Sequence, residues 1–157
     1  MKTLLIYYSQ DEQIRELCEQ ARCDGTSIFE ICEYFDRSDT YVATIGSYLA
    51  LLGKNTAIEK EKPDLSLYDT IIIACPVWAL NPPPAVNAFL RSTNLKGKEV
   101  IGLLFRGGVS GAVANDVLRK RISLAGGACK GVVSLPKKEL LKESESILNF
   151  AMKKAYC

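Results

Sequence analysis

YDTIIIACPVWALNPPPAVNAFL, residues 68–90, decides how the rest of the chain is read. Ile71, Ile72 and Ile73 run into Ala74 and Cys75 with no polar break. Such a run reads as a strand covered on both faces. Pro76 ends it. Val77-Trp78-Ala79-Leu80 then forms a loop that holds the one tryptophan of the chain. Pro82, Pro83 and Pro84 follow. Proline cannot donate to a strand ladder, but it is tolerated in the first turn of a helix. The stretch is therefore strand, aromatic loop and helix, with Ala85, Val86, Phe89 and Leu90 as the helix's apolar side. A large apolar ring just beyond the carboxyl end of a buried parallel strand stands where open α/β sheets bind ligands.

Working outward, Thr3 to Tyr8 is a first strand, again apolar on both faces. Residues 9–13 turn into a helix that carries Ile14, Leu17, Cys18 and Ala21 on one side. Asp24-Gly25 closes it. Thr26 to Cys32 is a second strand, polar enough for a sheet edge, and Tyr34 to Thr40 is a loop. A helix from about Tyr41 to Leu52 places Val42, Ile45, Leu49 and Leu52 on one stripe, and Gly53 ends it. Residues 54–67 are a charged connector with Pro63. Glu99 to Phe105 is a fourth strand and 106–111 a glycine-rich loop. A helix over Ala112 to Leu124 turns Val113, Val117, Leu118 and Leu124 inward. Cys129 to Leu135 is a fifth strand, stopped by Pro136. A last helix, about Lys138 to Ala155, buries Leu141, Ile147, Leu148, Ala151, Met152 and Ala155. Strands and helices alternate five times, which predicts a three-layer α/β/α sandwich on a parallel sheet with right-handed crossovers. No repeat or linker divides residues 1–157, so a single domain is expected.

Composition narrows the function classes. The chain is 48% hydrophobic and 24% charged, with a net charge of +2, which fits a globular core and not a disordered one. No long basic block speaks for nucleic acid. No apolar run reaches the roughly 18 residues of a membrane span. MKTLLIYYSQ is too short in its apolar part for a signal peptide and reads as the first strand, so a cytoplasmic location is expected. Six cysteines are present, none in a C-x-x-C pair, and they read as reduced thiols. There is no histidine, which removes His-based triads, Cys–His dyads and most zinc sites. No side chain is singled out as catalytic and no metal is expected, so any chemistry is expected to come from a bound cofactor.

YDTIIIACPVWALNPPPAVNAFL resembles the third strand, ring-binding loop and third helix of flavodoxin-like proteins. LKGKEVIGLLF (95–105) resembles the family's fourth strand with its lead-in, and KTLLIYYS (2–9) the first strand. The resemblance implies the strand order 2-1-3-4-5, with FMN bound at the switch between strands 1 and 3. It implies a flavin ring held by Pro76, Val77, Trp78, Ala79 and Leu80. It also places Arg106, Gly107 and Gly108 at the pyrimidine edge, where Arg106 would face a reduced, anionic flavin. Trp78 packed under the proline-rich turn is the alternative for the loop. A solvated strand-to-helix turn is the alternative for 106–111.

The family's phosphate loop is roughly S-x-T-G-x-T and holds the FMN phosphate at a helix N-terminus. Here the turn is Ser9-Gln10-Asp11-Glu12-Gln13-Ile14. The first serine matches; Asp11 and Ile14 replace the threonines and Glu12 the glycine. The same residues also read as a capping box, with Ser9 as cap and Glu12 reaching back. On that reading the chain's own carboxylates occupy the phosphate's place. Two unit charges about 4 Å apart repel by roughly 4 kcal/mol at an effective dielectric near 20, about a thousandfold in affinity. Ser9, Gln10 and Gln13 would remain as side-chain ligands. Cys75 faces the same crevice on this picture and reads as a small buried residue, a reactive thiol being the third reading.

Two functions stay open. One is an FMN-linked redox protein, a small flavoprotein reductase or electron-transfer protein with a small-molecule or protein redox partner. The near-neutral charge favours a reductase over an acidic carrier. The other is a flavodoxin-fold binding or regulatory module that has lost FMN because Asp11 and Glu12 fill the phosphate site.

Overall fold

A computed structural model of the chain describes residues 2–24, 26–34, 41–108, 110–140 and 149. Its centre is β3 (Thr70–Pro76), with residues 70–75 fully buried. A strand buried on both faces needs a partner on each edge and a helix layer on each side. β1 (Thr3–Tyr7) pairs with β3 in parallel, Leu5 opposite Ile72. β4 (Glu99–Arg106) pairs on the other edge, Ile72 opposite Ile101. β2 (Ser27–Glu30) and β5 (Ala128–Pro136) complete a five-stranded parallel sheet of order β2-β1-β3-β4-β5. This is the expected order, with the polar second strand at an edge.

Both edges are interrupted. Beyond β2, Ile58 bridges antiparallel to Glu33, and the Glu59 N–H donates to the Cys32 carbonyl at 2.9 Å. Between β4 and β5 the register slips at Val100/Ile101.

Alternate side chains of the sheet feed two cores. On one face Leu5, Tyr7, Ile72, Ala74, Ile101 and Leu103 pack with Ile14, Cys18 and Ala21 of the segment that starts with α1 (Glu12–Gln20). The spacing read from sequence for α1 holds. On the other face Leu4, Ile6, Ile71, Ile73 and Leu104 pack with α2 (Ser47–Leu51), α3 (Pro84–Arg91) and α4 (Ala112–Leu124). In α3 the four expected residues, Ala85, Val86, Phe89 and Leu90, are all buried. The sheet is followed by α5 (Lys137–Leu140). Residues 141–148 and 150–155 of the expected last helix, the loop at 35–40, Gly25 and Cys157 lie outside the described residues.

Two helices differ in phase from their sequence reading. In α4 the buried residues are Ala114, Leu118 and Ile122, while Val113 is 52% and Leu124 78% exposed. The reason is close approach. A Cβ on Gly102 of β4 would stand 2.8 Å from Leu118 Cδ2. Gly102 leaves room for the Leu118 side chain, and the helix phase that seats Leu118 and Ile122 inward also turns Ala114 in and Val113 out. Before α2, Val42–Gly46 form a π-helical turn. Gly46 and Ala50 face in, whereas Ile45 is 56% and Leu52 50% exposed. Here a small residue wins: a Cβ on Gly46 would lie 3.2 Å from the Trp78 ring. Gly53 does end α2, at φ 63°, with its N–H bonded to Ala50 O at 3.0 Å and the Lys54 N–H to Leu49 O at 2.9 Å. That pair of bonds is a Schellman closure.

Candidate functional site

The carboxyl ends of β1, β3 and β4 open into one cleft of about 540 Å³. A volume of roughly 300–1,000 Å³ is usual for a small-molecule site. Ser9, Gln10, Asp11, Glu12 and Gln13 line one side, and Pro76, Val77, Trp78, Arg106 and Gly107 the other. The two segments singled out from sequence therefore face each other. Ile14, Phe105 and Lys137 also line the cleft. Ala79, Leu80 and Gly108 do not.

At the first turn the cap is Asp11, not Ser9. The Asp11 carboxylate accepts from the Gln13 N–H at 3.0 Å and the Ile14 N–H at 3.3 Å. Ser9 instead holds the turn: its Oγ accepts from the Asp11 N–H and lies 3.0 Å from the Asp11 carbonyl, to which it donates. Glu12 does not reach back. Its carboxylate pairs with Arg15 at 2.8 Å on the surface. Arg15 also bonds Glu30 at 3.0 Å. The S-x-x-E pattern holds two capping side chains, Ser9 and Asp11, and the one nearer the helix takes the amides.

Asp11 has a second partner, Lys137 at the start of α5, whose ammonium donates to Oδ2. Burial alone would raise the Asp11 pKa. The Lys137 hydrogen bond and charge, with the bonds from the Ile14 and Gln13 amides, outweigh it and hold the carboxyl below its ordinary value. An anion already sits at the positive end of α1, matched by a cation.

Trp78 forms a wall fixed from behind. It is 8% exposed, and its ring meets Tyr8 edge-on at 5.8 Å between centroids. The Tyr8 hydroxyl donates to Glu33 at 2.6 Å. The Gly46 backbone closes the other side. The indole is thus mostly core, with an edge on the cleft. Trp78 and Asn81 exchange backbone hydrogen bonds of 2.8 and 2.9 Å across Ala79 (φ 46°) and Leu80 (φ 63°). This is a two-residue turn with both central residues left-handed, a geometry that prefers Asn-Gly. Ala-Leu in that place is strained.

In the third loop, a Cβ on Gly107 or Gly108 would meet nothing within 4 Å. Packing does not demand glycine there; the loop is open on the cleft side. Gln10 offers a different signal. Its Oε1 is shut off from solvent and has no hydrogen-bond partner, which is uncommon for a buried acceptor. Cys75 does not face the cleft. It is buried in the core with α3, and burial drives its thiol pKa far up. That environment makes an inert thiol. Among the described residues no cluster of ligands could hold a metal ion, and no helix is long and apolar enough to cross a membrane.

Lys137 is the residue that sequence reasoning missed. It lies 126 positions from Asp11, and the strand-ending Pro136 beside it gave no hint of its direction.

Comparison with known proteins gives a consistent picture. The flavodoxin family model matches residues 52–143. No curated protein matches the chain. Among solved structures, a protein from Bacteroides eggerthii assigned as a flavoprotein is 22% identical, with TM-score 0.73, covering 88% of this chain and 92% of its own. One from Bacteroides uniformis, likewise assigned, is 24% identical with TM-score 0.70, covering 90% and 95%. A flavoprotein in complex with FMN from Lactobacillus acidophilus is 20% identical with TM-score 0.67, covering 92% and 99%. At these identities the likeness is one of fold.

Proposed function

The chain belongs to the flavodoxin family, and on that footing we propose that residues 1–157 form one cytoplasmic domain that binds a flavin in the crest cleft and serves FMN-linked redox chemistry. One observation carries this reading: the Ser9–Gln13 turn and the Trp78 loop border the same cleft at the carboxyl ends of β1 and β3. The volume suits a ring system, and a turn of the Gln10 side chain would bring its unpartnered Oε1 to a ligand hydroxyl or N–H. A bound flavin supplies the hydride or electron transfer. The protein's part is to hold and shield it. Val77 and the fixed edge of Trp78 make an apolar wall that excludes water. The open Gly107 backbone allows close approach, and Arg106 sets a positive charge on the cleft rim.

The phosphate end fits less well, and Asp11 is the reason. Its carboxylate already takes two amides of α1 and the Lys137 ammonium. For FMN to seat its phosphate there, Asp11 must swing out and release Lys137 to the incoming group. This favours a second reading, a module of the same fold that no longer takes FMN. Titrating the purified protein with FMN and with riboflavin, read by quenching of flavin fluorescence, separates the two. Quenching by FMN supports the redox protein. Quenching by riboflavin alone means that the ring site works and the phosphate seat is closed. Quenching by neither sinks the flavin reading. Asp11→Thr with Glu12→Gly then tests the carboxylates: restored FMN binding would assign the block to them.

A further inference from the structure

We propose that a groove between α2, α3 and α4 is a second binding site, for a small amphiphile with an anionic head and an apolar tail. The groove has a volume of about 760 Å³ and shares no lining residue with the crest cleft. Its apolar wall includes Leu51, Leu52 and Leu124, all at least half exposed. Arg91, Lys120 and Arg121 also line it, with no carboxylate among the lining residues. Among the described residues no acid pairs with any of the three.

The two arginines converge on Gly53. Arg91 donates to the Gly53 carbonyl at 3.4 Å, and Arg121 Nη2 lies 3.3 Å from where a Gly53 Cβ would stand. Asn87, itself buried, fixes Arg121: its Oδ1 accepts from the guanidinium while its Nδ2 donates to Lys54 O at 3.0 Å. Two like charges held together without a counterion are an unfavourable arrangement, and an anion relieves it. Burial and the neighbouring Arg91 both depress the Arg121 pKa. Thr93 also lines the groove, and its shielded hydroxyl finds no partner. Helix ends supply part of the missing negative charge, as the Arg91 bond to Gly53 shows. About half a unit per helix terminus does not balance three full cations. Unpaired cations and exposed leucines in one groove select one ligand class: a carboxylate or phosphate monoester on an alkyl chain. The proposal stands whether or not the crest cleft takes a flavin.

The test is calorimetric titration of the whole chain with decanoate, decyl phosphate and decanol. Saturable one-to-one binding of an anionic probe, at least tenfold tighter than decanol, is expected. The better of the two anions names the head group. Arg91→Gln should weaken it by roughly tenfold to a hundredfold, the weight of a charged hydrogen bond. Leu124→Gln, at an exposed position that folding does not need, should weaken the decyl probes but not inorganic phosphate. Equal affinity for decanol and the anions would overturn the proposal. So would no binding at all, or affinity unchanged in both variants. Sedimentation that finds a dimer dissolved by Leu124→Gln would also overturn it, by assigning the leucines to a second copy.

Discussion

The crest cleft and the flank groove handle charge in opposite ways. At the crest, Asp11 answers the amides of α1 and Lys137 answers Asp11. In the groove, Arg91 and Arg121 stand together with no acid beside them among the described residues. Their apolar parts are opposed too. Trp78 is pinned behind the cleft by Tyr8 and Gly46, whereas Leu52 and Leu124 lie open. A cavity that neutralises itself can fold without a ligand but resists one of its own sign. A cavity left charged and apolar is the one with something to gain from binding. Family membership directs attention to the crest, while the physical imbalance lies on the flank.

The largest expected effect tests whether Trp78 is core or platform. Trp78→Ala should cost about 3–5 kcal/mol, the usual range for emptying a buried large aromatic, measured as a shift in urea midpoint. A loss under about 1 kcal/mol would mean that the indole is a surface plate and that the contrast with the leucines is false. Next comes Asp11→Asn, which keeps a competent cap and removes the charge. FMN affinity should rise by roughly tenfold to a hundredfold, less than bare Coulomb energy gives because the pair is partly exposed. Riboflavin affinity should stay level. The same variant has a pH signature. The folded-state pKa of Asp11 is depressed, so its contribution to stability is complete above the ordinary carboxylate pKa of about 3.9 and drains away as pH falls through the lower folded value. Urea midpoints of Asp11→Asn should therefore fall less steeply with acid below about pH 4. Smaller again, Leu80→Gly should stabilise by about 1 kcal/mol by relieving a left-handed leucine. An unchanged or lower midpoint would show that the turn is relaxed. Smallest, Leu124→Gln should leave stability within about 0.5 kcal/mol, the counterpart of the Trp78 loss.

Where the sequence spoke clearly, it did so through long apolar runs. β1, β3 and β4 announce themselves because both their faces are covered, and α3 because prolines mark its start. The strand order came through resemblance, not periodicity. The helix faces were harder. Hydrophobicity ranks Val113 above Ala114 and Ile45 above Gly46, yet the seat of Leu118 over Gly102 sets the phase of α4, and the Trp78 ring leaves room only for Gly46. Steric room between layers is a tertiary quantity that no single helix pattern carries. At the site, the Ser9 turn and the Trp78 loop were legible as partners. The choice of Asp11 as cap depended on where the Ser9 hydroxyl turned, and Lys137 depended on where β5 ends in space.

The two ends of the sheet bear on the life of the molecule in a crowd. An unpaired strand is a template on which another chain can add its own, the first step of fibril growth. Here Ile58 and Glu59 bond to residues 32–33 just past the end of β2, and β5 slips against β4 at Val100/Ile101, where Lys130 pairs with Glu99 at 2.8 Å. A visiting strand meets occupied backbone just past the end of β2 and an irregular ladder at β5. Irregular margins of this kind are the usual means by which a sheet discourages pairing with its own copies.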